Sequence, residues 1–580
     1  MKKQTKLVAV LSTAALLAIG ASMTSFAATG WAEEDGTWVY YDRNGDKVTD
    51  KWAKSGNNWY YLDSNGEMAV DTLIEDGDNY YYVDVNGVMA ANQWVAIDNE
   101  DAGEDDEPEH YWYYFQANGK AYKQGDSTNV ALKTINGKKY AFDDEGKMLY
   151  GWVKADSAER ISNTDGDAFA QEADYYFGDE NDGAMTTGWL LVDVTYDDAT
   201  NDYEIAPAFN EDEDQSRWFY FKSNGKMVKA ANQGETKEKT INGKKYAFDH
   251  NGAMVAEWSL DKEKASDNIS TSSLPTGGTS TTAKYSQAWR YFNSVEDGAR
   301  VSKGWFKVVS AEWLNKEKYD DDEDAWYYAD GSGNLYAGEF KTIKGKKYAF
   351  RDDGRMISGL KFIKIDKTTP SLSVKSDDDD HHAFDTEDGF IDSALWYTAN
   401  GYQCFYFGGD EDGAMKTNKT NITIDGDNFN FYFNKSGSSK GAGINGEKDD
   451  KYYLGGMLLK AGSDEKYQAI QYVSNTNTTD HKDDEQGWKK LADADKVKAA
   501  AGVQAQGVSE PNVTLAKSLC KAFNKKADDL KELYILNDNS MKLVNTSGTV
   551  AKKNTKNKDG NDYVYVTDGN GVIRVIYVED

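Results

Sequence analysis

A short phrase repeats along most of this chain: a cluster of aromatic residues, a few polar ones, then Asn-Gly or Asp-Gly. Trp38-Val39-Tyr40-Tyr41 is followed by Asn44-Gly45, Trp59-Tyr60-Tyr61 by Asn65-Gly66, and Tyr80-Tyr81-Tyr82 by Asn86-Gly87. A unit this short cannot bury a core alone, so units must stack. Aromatic runs favour extended strands, where rings pack on a half-buried pleated surface. Asn-Gly accepts positive φ at both central positions of a type I′ turn. Each unit therefore reads as strand, two-residue turn, strand. An isolated hairpin is marginal in water, and stacking buries its rings between neighbours. The expected fold is all-β: a β-solenoid of stacked β-hairpin repeats with polar loop insertions and almost no helix from residue 30 to 457.

Further copies run to about residue 437, among them Tyr113-Tyr114-Phe115, Tyr220-Phe221, Tyr327-Tyr328 and Tyr432-Phe433. A longer cycle overlies them. The segment Thr134 to Phe142 returns at Thr240 to Phe248 and at Thr342 to Phe350, and Tyr176 to Met185 has relatives at Tyr291 to Arg300 and Tyr406 to Met415. Such a pattern suggests duplication of blocks rather than of single hairpins.

Lys2, Lys3 and Lys6 precede an apolar run from Leu7 to Gly20, and Ser25-Phe26-Ala27 offers a cleavage site. Residues 1–27 read as a secretory signal peptide; Ser12, Thr13 and Gly20 break the run too often for a membrane anchor. No second hydrophobic segment follows, so no membrane insertion is expected. Leu274-Pro275-Thr276-Gly277-Gly278 reads as a linker, and attachment to a surface must be non-covalent. The net charge of −32 argues against nucleic acid or anionic lipid as a partner. Cys404 and Cys520 are too few for a disulfide scaffold and are not expected to meet in a stacked array.

Between hairpins lie polar inserts: Asp98 to His110, Lys154 to Asp174, Asp193 to Ser216, Asp261 to Ala283 and Asp366 to Ser393. They read as exposed loops. Asp377-Asp378-Asp379-Asp380-His381-His382 lacks the interleaved spacing of a Ca2+ loop and reads as an acidic loop. Residues 458–580 form a separate, mixed helical and strand segment, perceived as a cap on the last hairpin. Within it Asn512 to Leu536 is expected to be helical, with Leu515, Leu519, Phe523, Leu530 and Leu533 on one face and Asn512 as cap. Tyr563-Val564-Tyr565 with Asn570-Gly571 restores strand and turn.

No His-Glu-x-x-His, Cys-x-x-Cys, Gly-x-Ser-x-Gly or phosphate loop is present. Cys520 lies on the expected apolar helix and reads as a buried thiol rather than a nucleophile for His481. No catalytic residue, metal site or cofactor is expected, and the chain reads as a non-enzyme. The tryptophans are more telling: 13 of the 16 occupy one of two repeat positions. Trp31, Trp52, Trp94, Trp152, Trp189, Trp258 and Trp305 lie at or near a Gly-Trp pair. Trp38, Trp59, Trp112, Trp218, Trp289 and Trp326 open a hairpin cluster. Two Trp and a Tyr face to face hold a quaternary ammonium by cation–π attraction, worth about 2 kcal/mol or more when desolvated. The same faces can stack on a sugar ring, or serve only to pack hairpin on hairpin.

Gly30-Trp31 through Met68, with Trp59-Tyr60-Tyr61, Asn65-Gly66 and a following Met, resembles the cell-wall-binding repeat superfamily. That superfamily includes choline-binding repeats of surface proteins and autolysins and glucan-binding repeats of glucosyltransferases. The Ile135-Asn136-Gly137-Lys138-Lys139-Tyr140 copies look more like repeats of large clostridial toxins. The resemblance implies ligand boxes pairing Trp31 with Trp38, Trp52 with Trp59, Trp94 with Trp112, Trp189 with Trp218, Trp258 with Trp289, and Trp305 with Trp326, joined by tyrosines such as Tyr40 and Tyr61. Lys139, Lys245 and Lys347 replace the hairpin Trp, so boxes should be absent there. The implied protein is secreted and wall-associated, with wall polymer or polysaccharide as partner through choline or sugar groups. An adhesin or polysaccharide-binding protein for host or dietary glycan, and an autolysin-like enzyme with an unrecognised catalytic domain in its C-terminal segment, are the rival expectations.

Overall fold

The computed structural model describes residues 29–104, 106–196, 214–260, 282–366, 368, 371–375, 383–476, 481–503, 507–560 and 562–580. The segments expected to be a signal peptide (residues 1–27), a linker (274–278) and an acidic loop (377–382) lie outside them. The described chain is mostly β and divides into two compact units, residues 1–257 with 292–299, and residues 258–291 with 300–580.

The first unit is a succession of antiparallel hairpins. Gly30–Glu34 pairs with Thr37–Tyr41, Lys51–Ser55 with Asn58–Leu62, Thr72–Asp76 with Asn79–Val83, and Gln93–Asp98 with His110–Phe115. Lys133–Ile135 then pairs with Lys138–Tyr140, Gly151–Val153 with Tyr175–Phe177, Gly188–Thr195 with Asp214–Phe221, and Lys237–Ile241 with Lys244–Phe248. Leu62, Val83, Phe115, Phe142, Phe177, Phe221 and Phe248 close the aromatic clusters and are fully buried.

The hairpin turns are not where the recurring phrase places them. Asp35 and Gly36 take φ of 51° and 86°, and Asn136 and Gly137 take 50° and 83°, as a type I′ turn requires. These dipeptides precede the aromatic strand. The Asn-Gly after it makes a different turn. The Asp42 carboxylate accepts the N–H groups of Asn44 and Asp46 at 2.8 and 3.0 Å, and its carbonyl accepts from Gly45. Asp63 and Asp84 repeat this arrangement. The aspartate side chain supplies an acceptor that a backbone turn lacks, so the reversal is built by Asp rather than by a two-residue hairpin.

That second turn ties each hairpin to the one before. Met68 N–H donates to the Trp38 carbonyl, Met89 to Trp59, Ala121 to Tyr80, Met148 to Trp112, Met185 to Lys139 and Met254 to Trp218. The turn glycine sits on the preceding methionine: a Cβ on Gly119 would lie 2.4 Å from the Met89 sulfur.

In the second unit Gly304–Val309 pairs with Asp324–Ala329 and Glu339–Ile343 with Lys346–Phe350. The same tie recurs, from Met356 N–H to the Trp326 carbonyl and from Met415 to Lys347. Helix is more frequent than expected. The insert read as a loop from Asp366 contains strand Ser371–Lys375 and the start of helix Glu387–Ala399. That helix buries Phe390, Ile391, Ala394, Leu395 and Tyr397, an apolar face at helical spacing hidden by its acidic flank. Short helices Ala283–Ser286 and Lys316–Asp320 also interrupt inserts.

The expected helix from Asn512 to Leu536 is shorter, Glu510–Leu519. Val513, Ala516 and Cys520 form its buried side, whereas Leu515 is 49% exposed. Ser509 occupies the cap position, and the Asn512 amide donates to the Gly507 carbonyl. Leu530–Ile535 is a strand, because Leu533 and Ile535 pair with Ile573–Glu579 inside a four-stranded sheet. The boundary expected after residue 457 falls within strand Met457–Leu458, and one core joins Phe431 and Leu454 to Ile470 and Val544. The C-terminal segment thus has sheets and cores of its own. Asn545 and Asp568 rebuild the repeat's side-chain turn there. Cys404 and Cys520 are free, buried thiols, and burial pushes Cys520 up to about 12.

Candidate ligand clefts between hairpins

Register sorts the aromatics of each hairpin onto two faces, because successive side chains alternate. In the second hairpin Trp52 pairs with Tyr61 and Lys54 with Trp59, while Ala53 pairs with Tyr60. Trp52, Trp59 and Tyr61 therefore share one face, and Tyr60 lies on the other. Unlike faces of successive hairpins meet. The Trp31 ring lies edge-on to its own Tyr40 and to Tyr60 of the next hairpin, both at 5.2 Å between centroids. Trp52 meets Tyr61 at 5.2 Å and Tyr81 at 5.0 Å. Trp94 meets Tyr114 and Tyr140, Trp189 meets Tyr220 and Tyr246, and Trp305 meets Tyr328 and Tyr348, all within 5.2 Å. The first tryptophan is thus a wedge between consecutive hairpins.

The hairpin tryptophan forms the second wall. Trp189 and Trp218 are 6.1 Å apart and nearly perpendicular, and Trp305 and Trp326 are 6.3 Å apart. Trp38, Trp59 and Trp112 share the faces of Trp31, Trp52 and Trp94 by register. Trp59 is 39% exposed. At each of these five places two Trp share one hairpin face and a Tyr of the next hairpin packs on the first of them, a candidate ligand cleft.

Trp258 and Trp289 are also brought together, at 6.2 Å, but to a different end. Trp289 is fully buried and Trp258 nearly so, since helix Ala283–Ser286 lays Tyr285 against Trp289 at 6.0 Å. This pair is core and has no open ring face for a ligand. Trp152 is likewise buried, against Phe219 and Tyr176.

Polar groups edge the clefts. The Trp52 indole N–H donates to Asp76 at 3.1 Å, and that of Trp326 donates to Glu411 at 2.9 Å. Burial, then the charge of Asp76, raises the Tyr81 phenol; Tyr61 is raised by burial and by Asp50, Asp76 and Asp63. Where lysine replaces the hairpin Trp, Lys245 pairs with Glu238 at 3.5 Å and Lys347 lies over the Phe340 ring at 4.8 Å. Burial, then Lys440, holds Lys347 below the usual lysine range.

Sequence reasoning named Tyr40 and Tyr61 and missed Tyr60, Tyr81, Tyr140, Tyr246 and Tyr348. Strict alternation within each aromatic cluster was the available signal: Tyr60 lies between Trp59 and Tyr61 and must point the other way.

The choline-binding repeat family matches residues 28–72 and 48–94, and the cell wall binding repeat family matches residues 213–227. Glucosyltransferase-S of Streptococcus mutans is 27% identical over 381 residues, 59% of this chain and 22% of the relative. The chain thus spans less than a quarter of that protein's length. Among solved structures, the modular autolysin LytC of Streptococcus pneumoniae is 19% identical over 59% of this chain and 56% of its own, with a TM-score of 0.29. Choline binding protein F of the same organism is 17% identical over 74% and 98%, with a TM-score of 0.21. The chain thus carries choline-binding repeats at residues 28–94 and a cell wall binding repeat at residues 213–227.

Proposed function

We propose that this is a secreted, non-catalytic surface protein that holds envelope polymer in the aromatic clefts between its hairpins. Choline or sugar groups are the recognised moieties, and the stacked hairpins form a β-solenoid that presents the clefts in series. The observation that carries this reading is the recurrence of one Trp–Trp–Tyr frame at Trp31–Trp38–Tyr60, Trp52–Trp59–Tyr81, Trp94–Trp112–Tyr140, Trp189–Trp218–Tyr246 and Trp305–Trp326–Tyr348. Such a frame offers π faces to a quaternary ammonium. The Glu33 carboxylate, cross-strand from Trp38, favours a cation over a neutral ring. Attachment is non-covalent, and among the described residues no helix is long and apolar enough to cross a membrane.

Elution from isolated cell walls tests the reading. Bound protein should come off with free choline and stay bound in free glucan. Release by glucan alone would move the assignment to polysaccharide, and failure to bind walls at all would remove it. Release of muropeptide or reducing sugar by the pure protein would show instead that the chain is an enzyme.

A further inference from the structure

The five clefts share a frame, but the residue directly cross-strand from the hairpin tryptophan differs in each. Glu33 faces Trp38, Lys54 faces Trp59, Ala96 faces Trp112, Leu191 faces Trp218 and Lys307 faces Trp326. Such partners lie on the same face with Cβ atoms roughly 4.5–5.5 Å apart, so this side chain is a near neighbour of the ring. The Lys54 ammonium sits 5.6 Å from the Trp59 ring centroid, within cation–π reach of it. Lys307 donates to Glu411 at 2.8 Å, and Glu411 also accepts the Trp326 indole N–H. The acid that edges this cleft is therefore already matched by a cation of the chain.

We infer that Lys54 and Lys307 exclude cationic ligands from their clefts, and that the Trp31–Trp38–Tyr60 cleft, with Glu33, takes a quaternary ammonium most tightly. The inference rests on the reading of the clefts as ligand sites. A cation entering beside Lys54 must displace an ammonium from the ring face and then meet its repulsion. One entering beside Glu33 gains a carboxylate next to the ring. Ala96 and Leu191 add neither term. Ligand class is thus graded along the chain by one repeat position, while the aromatic frame stays constant.

Choline chloride titrated into the full chain by calorimetry at low salt tests this, with Lys54→Met, Glu33→Gln and Glu33→Lys alongside the wild type. Lys54 and Glu33 are exposed, so the variants should fold. Lys54→Met is expected to add one choline site. Glu33→Gln should weaken the tightest site by about fivefold, the scale of one surface charge pair, and Glu33→Lys should abolish it. If the wild type binds choline and Lys54→Met binds the same number with the same affinity, the inference is overturned and the general reading stands. If neither the wild type nor Lys54→Met binds choline, the reading itself fails and takes the inference with it. Binding by Lys54→Met alone would support exclusion by Lys54 and overturn the assignment of the tightest site to the Glu33 cleft.

Discussion

Trp59 and Trp289 occupy the same place in the repeat phrase and end in opposite environments, one 39% exposed and the other fully covered. The difference lies in the insert before Trp289, which carries Tyr285 onto its ring. Trp38→Ala, in the cleft that Glu33 edges, should weaken wall retention by about 1–2 kcal/mol, and Trp38→Phe by less, since a ring remains. Leu515→Ala, on an exposed helix face, should leave retention unchanged. Trp289→Ala should instead cost about 3–5 kcal/mol of stability, as for other fully buried large rings, read by denaturant unfolding. The tryptophan positions were legible from the sequence. Their burial was not, because it depends on which insert folds back and where. A second residue-scale effect concerns Asp143, a turn aspartate that burial pushes up to about 6 while the N–H of Lys147 pulls it down. Its folded pKa lies above its unfolded one, so its contribution is present in full below about pH 4 and is lost as pH rises through about 6. Asp143→Asn keeps an oxygen for the Glu145 and Lys147 N–H groups and removes the titration. The thermal midpoint of the wild type should therefore fall relative to Asp143→Asn between pH 4 and pH 7.5; parallel curves would contradict this.

At the scale of the element, each hairpin depends on two turns with different chemistry. The type I′ turn closes the hairpin, and the aspartate-built turn after it delivers an N–H to the hairpin before. Gly119 serves the second turn with φ of 81° and a methionine at its back. Gly119→Ala should destabilise the protein by about 1–2 kcal/mol or more, from the left-handed backbone and the clash together; an unchanged unfolding midpoint would refute the role given to this tie. Hairpin content was readable from aromatic runs and Gly signals. The placement of the turns was not, since Asn-Gly serves a type I′ turn at Asn136 and a different turn at Asn44. The helix Glu387–Ala399 escaped for a related reason. Glu387, Asp388 and Asp392 made it look like an acidic loop, although Phe390, Ile391, Ala394 and Leu395 already carried a helical apolar face.

For the whole molecule, several weak clefts on one chain act by avidity, so modest single-site affinity is sufficient for firm attachment. The net charge of −32 would disfavour a polyanionic partner and suits one bearing cationic groups. The C-terminal sheets, with their own cores, add mass without adding a cleft of the Trp–Trp–Tyr kind among the described residues. The most direct measurement is co-sedimentation of the full chain with isolated walls, comparing the wild type with a Trp38→Ala, Trp59→Ala, Trp112→Ala triple variant of unchanged circular dichroism. The wild type should pellet with the walls and the triple variant should remain largely in the supernatant; equal pelleting of the two would reduce these rings to packing and contradict the account.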